Sequence, residues 1–134
     1  MELPPAVVVH GLPDALAALR QGRPVTLLSA PGAASFAGVL WWRALVEAAR
    51  RAGPDAGMTD VLDCADAPGR AMAALREGQR LLVLDARAPG FAAVRDAAAT
   101  LGATVLPERP AALDLAEPGA ARQLRAWLAA GGNR

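Results

Sequence analysis

The sequence predicts a single α/β domain, residues 1–134, built on an open, mostly parallel five-stranded sheet with helices on both faces. Three observations carry this. Short apolar runs alternate with helical patterns along the chain. The runs are nearly continuous in apolar residues, as strands buried on both faces must be. The connections are short and marked by Gly and Pro.

Residues 6–10 (AVVVH) read as the first strand. Leu12-Pro13-Asp14 then opens a helix over 13–21. The second strand is 25–29 (VTLLS), followed by the longest helical pattern, 32–52. The third strand is 59–64 (TDVLDC), with a helix over 68–77. The fourth is 80–85 (RLLVLD), with a helix over 89–101. The fifth is 103–107 (ATVLP), then a long loop over 108–117 and a last helix over 118–130. Gly22, Gly53, Gly78, Gly102 and Gly131 each fall just past a helix end, where a left-handed residue can close it. This β-α order suits the doubly wound sheets of flavodoxin-like and Rossmann-like domains, with strand order 2-1-3-4-5 as the default.

A second pattern runs through the helix starts. Ala30-Pro31-Gly32, Ala67-Pro68-Gly69, Ala88-Pro89-Gly90 and Glu117-Pro118-Gly119 all precede helical stretches. Pro suits a first helical turn, because its φ is already helical and the N–H it lacks would have no partner there. Repetition at every helix favours that reading over a phosphate-cradling loop. The stretch after Pro31, GAASFAG, also lacks the G-x-G-x-x-G spacing and a P-loop lysine.

Composition excludes several chemistries. The chain has no Lys, so Schiff-base catalysis is ruled out. One His and one Cys leave no multi-His or Cys-rich metal site and no internal disulfide. No cofactor or metal is expected. A net charge of +1, scattered arginines and the absence of Tyr give no nucleic-acid surface. No apolar run reaches the ~20 residues of a membrane span, and the start of the chain lacks the form of a secretory signal. A cytoplasmic location is expected. Frequent Ala and the use of Arg alone as basic residue point to GC-rich coding and a bacterial source. The segment 62–86, LDCADAPGRAMAALREGQRLLVLDA, resembles the βα units of phosphosugar aldolases in apolar spacing, but the Lys of that chemistry is missing.

Ligands of open α/β sheets bind beyond the carboxyl ends of the strands. The residues delivered there are His10, Ser29, Cys64, Asp66, Asp85 and Arg87, with Asp63, Glu108 and Arg109 beside them. If the first and third strands are neighbours, His10 approaches Cys64 and Asp66, the elements of a thiol nucleophile and its base. Alternation sends Asp63 and Cys64 to opposite faces, and a Cys ending a buried strand is more often a small core hydrophobe. Asp66 is also placed to cap the helix that follows.

On a helix over 32–52, Arg43, Glu47, Arg50 and Arg51 form a polar stripe, with Trp41, Leu45, Ala48, Ala49 and Ala52 opposite. Phe36, Val39 and Leu40 fall near the angle of Arg43, so the first two turns are apolar all round. Together with Trp42 these residues form an expected interface between copies of the chain, most simply a dimer. The alternative is that Leu113 and Leu115 of the loop 108–117 cover the patch. Three functional readings follow: a self-associating binding or regulatory domain, a small-molecule or phosphate-binding enzyme domain with its site at the strand ends, and a thiol enzyme using Cys64.

Overall fold

The structure is a computed structural model and describes residues 2–53 and 57–131. In chain order the elements are β1 (Ala6–Val8), α1 (Leu12–Leu19), β2 (Val25–Leu28), α2 (Ala33–Phe36), α3 (Val39–Ala52), β3 (Met58–Asp63), α4 (Pro68–Arg76), β4 (Leu81–Val83), α5 (Phe91–Thr100), β5 (Thr104–Leu106), β6 (Ala112–Asp114) and α6 (Ala120–Ala129). The α/β class is as the sequence predicts. The sheet has six strands, in the order β5-β4-β3-β2-β1-β6.

That order corrects the default of 2-1-3-4-5. β1 has β2 on one side and β6 on the other, both parallel, with Val7 opposite Leu27 and Leu113. The sixth strand lies inside the stretch expected to be a loop. Only three residues long, half-buried and set among Pro and Ala, it gives a weak strand signal.

The chain divides into two compact units. The first comprises Met1–Leu28, Leu45–Asp60 and Pro110–Arg134. Its core gathers Val7 and Val9, Leu27, Ala15, Ala18 and Leu19, Val46 and Ala49, and Leu124, Trp127 and Leu128, all buried. Trp127 is tied in by its polar edge, with Nε1 donating to the Ala6 carbonyl at 2.8 Å, so the indole buries no unpaired donor. Gly53 is required here for space. A Cβ on it would stand 2.6 Å from Leu19 Cδ1 and 3.0 Å from the Ala49 carbonyl oxygen. It is not among the left-handed glycines, unlike Gly22, Gly78, Gly102 and Gly131, which close their helices as expected.

The second unit comprises Ser29–Ala44 and Val61–Arg109. β4 pairs in parallel with β3 and with β5. Successive steps in one direction, made by right-handed crossovers, put α4 and α5 on the same face, where they pack together. Leu62, Leu82, Leu84, Ala71, Ala74, Leu75, Val94 and Trp42 are buried. The fully buried Gln79 is satisfied at both ends: Nε2 donates to the Leu81 carbonyl at 2.8 Å, and Oε1 accepts from Arg43 Nη1 at 3.0 Å.

The Pro-Gly pattern takes two structures. Pro68 enters α4 at its first turn and Gly69 is helical. At the other three copies the pair forms a turn ahead of the helix. Ala33, Phe91 and Ala120 donate to the carbonyls of Ala30, Ala88 and Glu117, each at 3.1 Å. Gly32, Gly90 and Gly119 take left-handed φ of 71°, 79° and 80°. Pro leading and Gly following at positive φ is the type II turn. The helix expected over 32–52 is likewise two helices: it breaks at Ala37-Gly38, with Gly38 at φ 99°. No helix among the described residues is long and apolar enough to cross a membrane.

Candidate functional site at the strand ends

In the second unit, β3 ends on Asp63, and everything nearby is arranged around its carboxylate. Oδ1 accepts from the Gly32 N–H at 2.9 Å and from the Ala65 N–H at 2.7 Å. Oδ2 accepts from Arg109 Nη1 at 2.8 Å. The same Nη1 reaches the Ser29 carbonyl at 3.1 Å. Ser29 holds the backbone from the other side: its Oγ accepts from the Asp63 N–H at 2.9 Å and donates to the Ala30 carbonyl at 3.2 Å. The Asp63 side chain is 3% exposed and that of Arg109 27%. A buried charge is tolerated only when paired and hydrogen-bonded, and this one is both.

This network settles what the turn at Pro31 does. The Gly32 N–H that could have met a phosphate already serves the protein's own Asp63. It also accounts for Ala65, the one non-glycine residue of positive φ (51°) among the described residues. An L-residue pays about 1–2 kcal/mol in that region, and the bond from its N–H to Asp63 helps hold it there.

Beside this lock lies an open cleft of about 730 Å³. Its apolar walls are Pro31, Ala65, Val83, Ala86 and Pro107, and its polar groups are Asp63, Asp85, Arg87, Glu108 and Arg109. Asp85 and Arg87 form a second pair. Arg87 donates through Nε to Oδ1 at 3.1 Å, through Nη2 to Oδ2 at 2.9 Å, and through its backbone N–H to Oδ1 at 2.8 Å. These bonds from Arg87 hold the Asp85 carboxyl at about 2, well below the usual carboxylate range.

Of the residues singled out from the sequence, Asp85 and Arg87 line the cleft. Ser29 is buried and shapes the lock behind it. Cys64 is fully buried, and burial, with Asp63 alongside, pushes its thiol up to about 12. Asp66 is exposed, and α4 begins without a side-chain cap. His10 belongs to the first unit, where its Nε2 lies 2.6 Å from Asp114 Oδ1 and its N–H donates to Asp14 Oδ2 at 2.9 Å. The neighbouring of first and third strands that would have brought it to Cys64 is not formed, because β6 takes that side of β1. Among the described residues, no group of three or more His, Cys, Asp or Glu could hold a metal ion.

No protein-family model matches this chain, and no curated protein matches it.

The apolar surface near α3 is narrower than the sequence suggests. Val39 (7% exposed) and Trp42 (0%) are buried, whereas Phe36 and Leu40 stand 71% and 67% exposed. Val39 and Trp42 share the α3 face of Val46 and Ala49, all buried, whereas Leu40 shares the exposed face of Ala44 and Glu47. The segment 108–117, the alternative cover for the patch, contains β6, paired with β1. A groove of about 470 Å³ runs beside Leu40 and Trp41, floored by Ala37, Val39 and Ala73 and rimmed by Arg70, Arg76 and Glu77 of the α4 side. None of these three charged side chains has an ion-pair partner among the described residues.

Proposed function

We propose that this chain is a non-catalytic α/β binding domain that self-associates, with Phe36 and Leu40 at the contact. The observation that carries the reading is the exposure of those two large side chains, 71% and 67%, with Leu40 lining a groove that is rimmed by charged residues. Patches of this kind mark contact surfaces. A second copy suits the groove because its rim carries both signs. Under two-fold symmetry, Arg70 or Arg76 of one protomer can face Glu77 of its partner. Burying Phe36 and Leu40 is worth roughly 1.5–3 kcal/mol each before association costs are subtracted.

Chemistry supports the non-catalytic part. Burial raises the Cys64 thiol to about 12, far from the range in which a thiolate nucleophile works, which speaks against the thiol-enzyme reading. A cytoplasmic, bacterial protein is part of the same reading, supported by the single unpaired Cys64 and the all-arginine basic composition.

Sedimentation velocity tests it. The wild type should show a concentration-dependent dimer in the micromolar range, and the double variant Phe36→Glu/Leu40→Glu should run as a folded monomer with an unchanged unfolding midpoint. A wild type that remains monomeric at high micromolar concentration overturns the proposal.

A further inference from the structure

The strand-end cleft offers hydrogen-bonding capacity that the protein itself does not use. Arg109 spends only Nη1, on Asp63 and Ser29, so its Nε and Nη2 face no partner among the described residues. Asp63 also fixes the plane of the guanidinium, and a fork already oriented loses little freedom on binding a carboxylate bidentately. Glu108, next in the chain and on the same cleft, has no partner among the described residues either. Asp85 and Arg87 satisfy each other at the rim, with the Arg87 side chain 91% exposed. Three acids (Asp63, Asp85, Glu108) against two bases (Arg87, Arg109) give the lining a formal charge of −1, which disfavours a dianion such as phosphate. The remaining walls are apolar.

We infer that this cleft binds a small zwitterion, a free α-amino acid with an apolar side chain. Its carboxylate meets the open edge of Arg109, its ammonium meets Glu108, and its side chain lies on Val83, Pro31 and Pro107. The volume of about 730 Å³ falls in the range of small-molecule sites. This inference is independent of self-association, which concerns a different surface.

Isothermal titration calorimetry on the full chain tests it with four probes: leucine, 3-methylbutylamine (leucine without its carboxylate), 4-methylpentanoate (leucine without its amine) and inorganic phosphate. Leucine should bind about tenfold or more tighter than any of the other three, because both charged ends are engaged. Glu108→Gln, at an exposed position that folding does not use, should weaken leucine about tenfold and leave 4-methylpentanoate unchanged. Three results overturn the inference: no leucine binding up to about 10 mM, phosphate or the amine binding as tightly as leucine, or Glu108→Gln binding leucine like the wild type.

Discussion

Asp63 and Asp85 stand at the ends of neighbouring strands of the second unit, each paired with an arginine at 2.8–2.9 Å. The chemistry is the same and the consequences differ. Asp63 is buried and gathers two backbone N–H groups and Arg109, so three segments far apart in sequence meet on one carboxylate. Asp85 is bonded by a residue only two positions away, and its partner is almost wholly exposed. An ion pair holds a fold together when it is dry and joins distant segments. When it is wet and local, water can replace it with little loss.

The largest expected effect follows from removing the buried acid. Asp63→Ala leaves Arg109 without its counter-charge and two N–H groups without acceptors, and should cost about 3–5 kcal/mol. Urea unfolding reads this as a lower midpoint at unchanged slope. Asp63→Asn keeps an acceptor oxygen and should cost less. A loss under about 1 kcal/mol for Asp63→Ala would erase the contrast between the two pairs.

The residue beside Asp63 gives the next test. The Cys64 thiol is raised from 9.0 to about 12. A raised pKa in the folded state contributes stability that is complete below the unfolded value and is lost as pH rises. Stability should therefore hold up to pH 9 and fall between 9 and 12, with a slope approaching about 1.4 kcal/mol per pH unit. With no Tyr or Lys in the chain, no other side chain has an ordinary pKa in that window, so Cys64→Ala should abolish the slope. Thiol labelling of the native protein should be slow at neutral pH. Rapid labelling would mean that the site is open and that burial does not protect it.

Glycines on either side of the same region sharpen the point. Gly32, which donates to Asp63, sits at φ 71°, so Gly32→Ala should destabilise by about 1–2 kcal/mol even though its Cβ would meet Ala65 only at an ordinary 3.7 Å. Gly69 lies in α4 with nothing within 4 Å of a Cβ, so Gly69→Ala should stabilise by about 0.5–1 kcal/mol. Two effects of the same sign in thermal unfolding would contradict the two structures assigned to one Ala-Pro-Gly pattern.

That pair also shows what the sequence could convey. The alternation of elements was legible, because continuous apolar runs and helix-closing glycines are local signals. Pro-Gly was ambiguous: three copies form a turn ahead of the helix and the copy at Pro68-Gly69 enters it, and the bond from Gly32 to Asp63, across 31 residues, has no local signal. β6 was hidden because its three residues become a strand only through β1. Asp63 and Arg109 could be placed at strand ends from the pattern, but their pairing spans 46 residues and no local feature announces it. Near α3, Phe36 and Leu40 are exposed, whereas Val39 and Trp42 are buried on the face they share with Val46 and Ala49, which the helical angles read relative to Arg43 did not separate.

The smallest expected effect completes the comparison. Asp85→Asn should leave the urea midpoint at neutral pH unchanged within error, since the pair it breaks is local and solvent-exposed. Whatever small contribution the pair makes is present at neutral pH and disappears in acid. A carboxyl lowered from 3.8 to about 2 contributes stability that is present above the unfolded value and lost as pH falls through the folded one. Wild type and Asp85→Asn should therefore unfold alike at pH 2 and below, and any difference should open only as pH rises from about 2 to about 4. Acid titrations of both proteins, followed by circular dichroism, make the comparison directly. If Asp85→Asn instead lowers the neutral-pH midpoint as much as Asp63→Ala does, the rim pair holds the loop after β4 in place, and burial is not what separates the two aspartates.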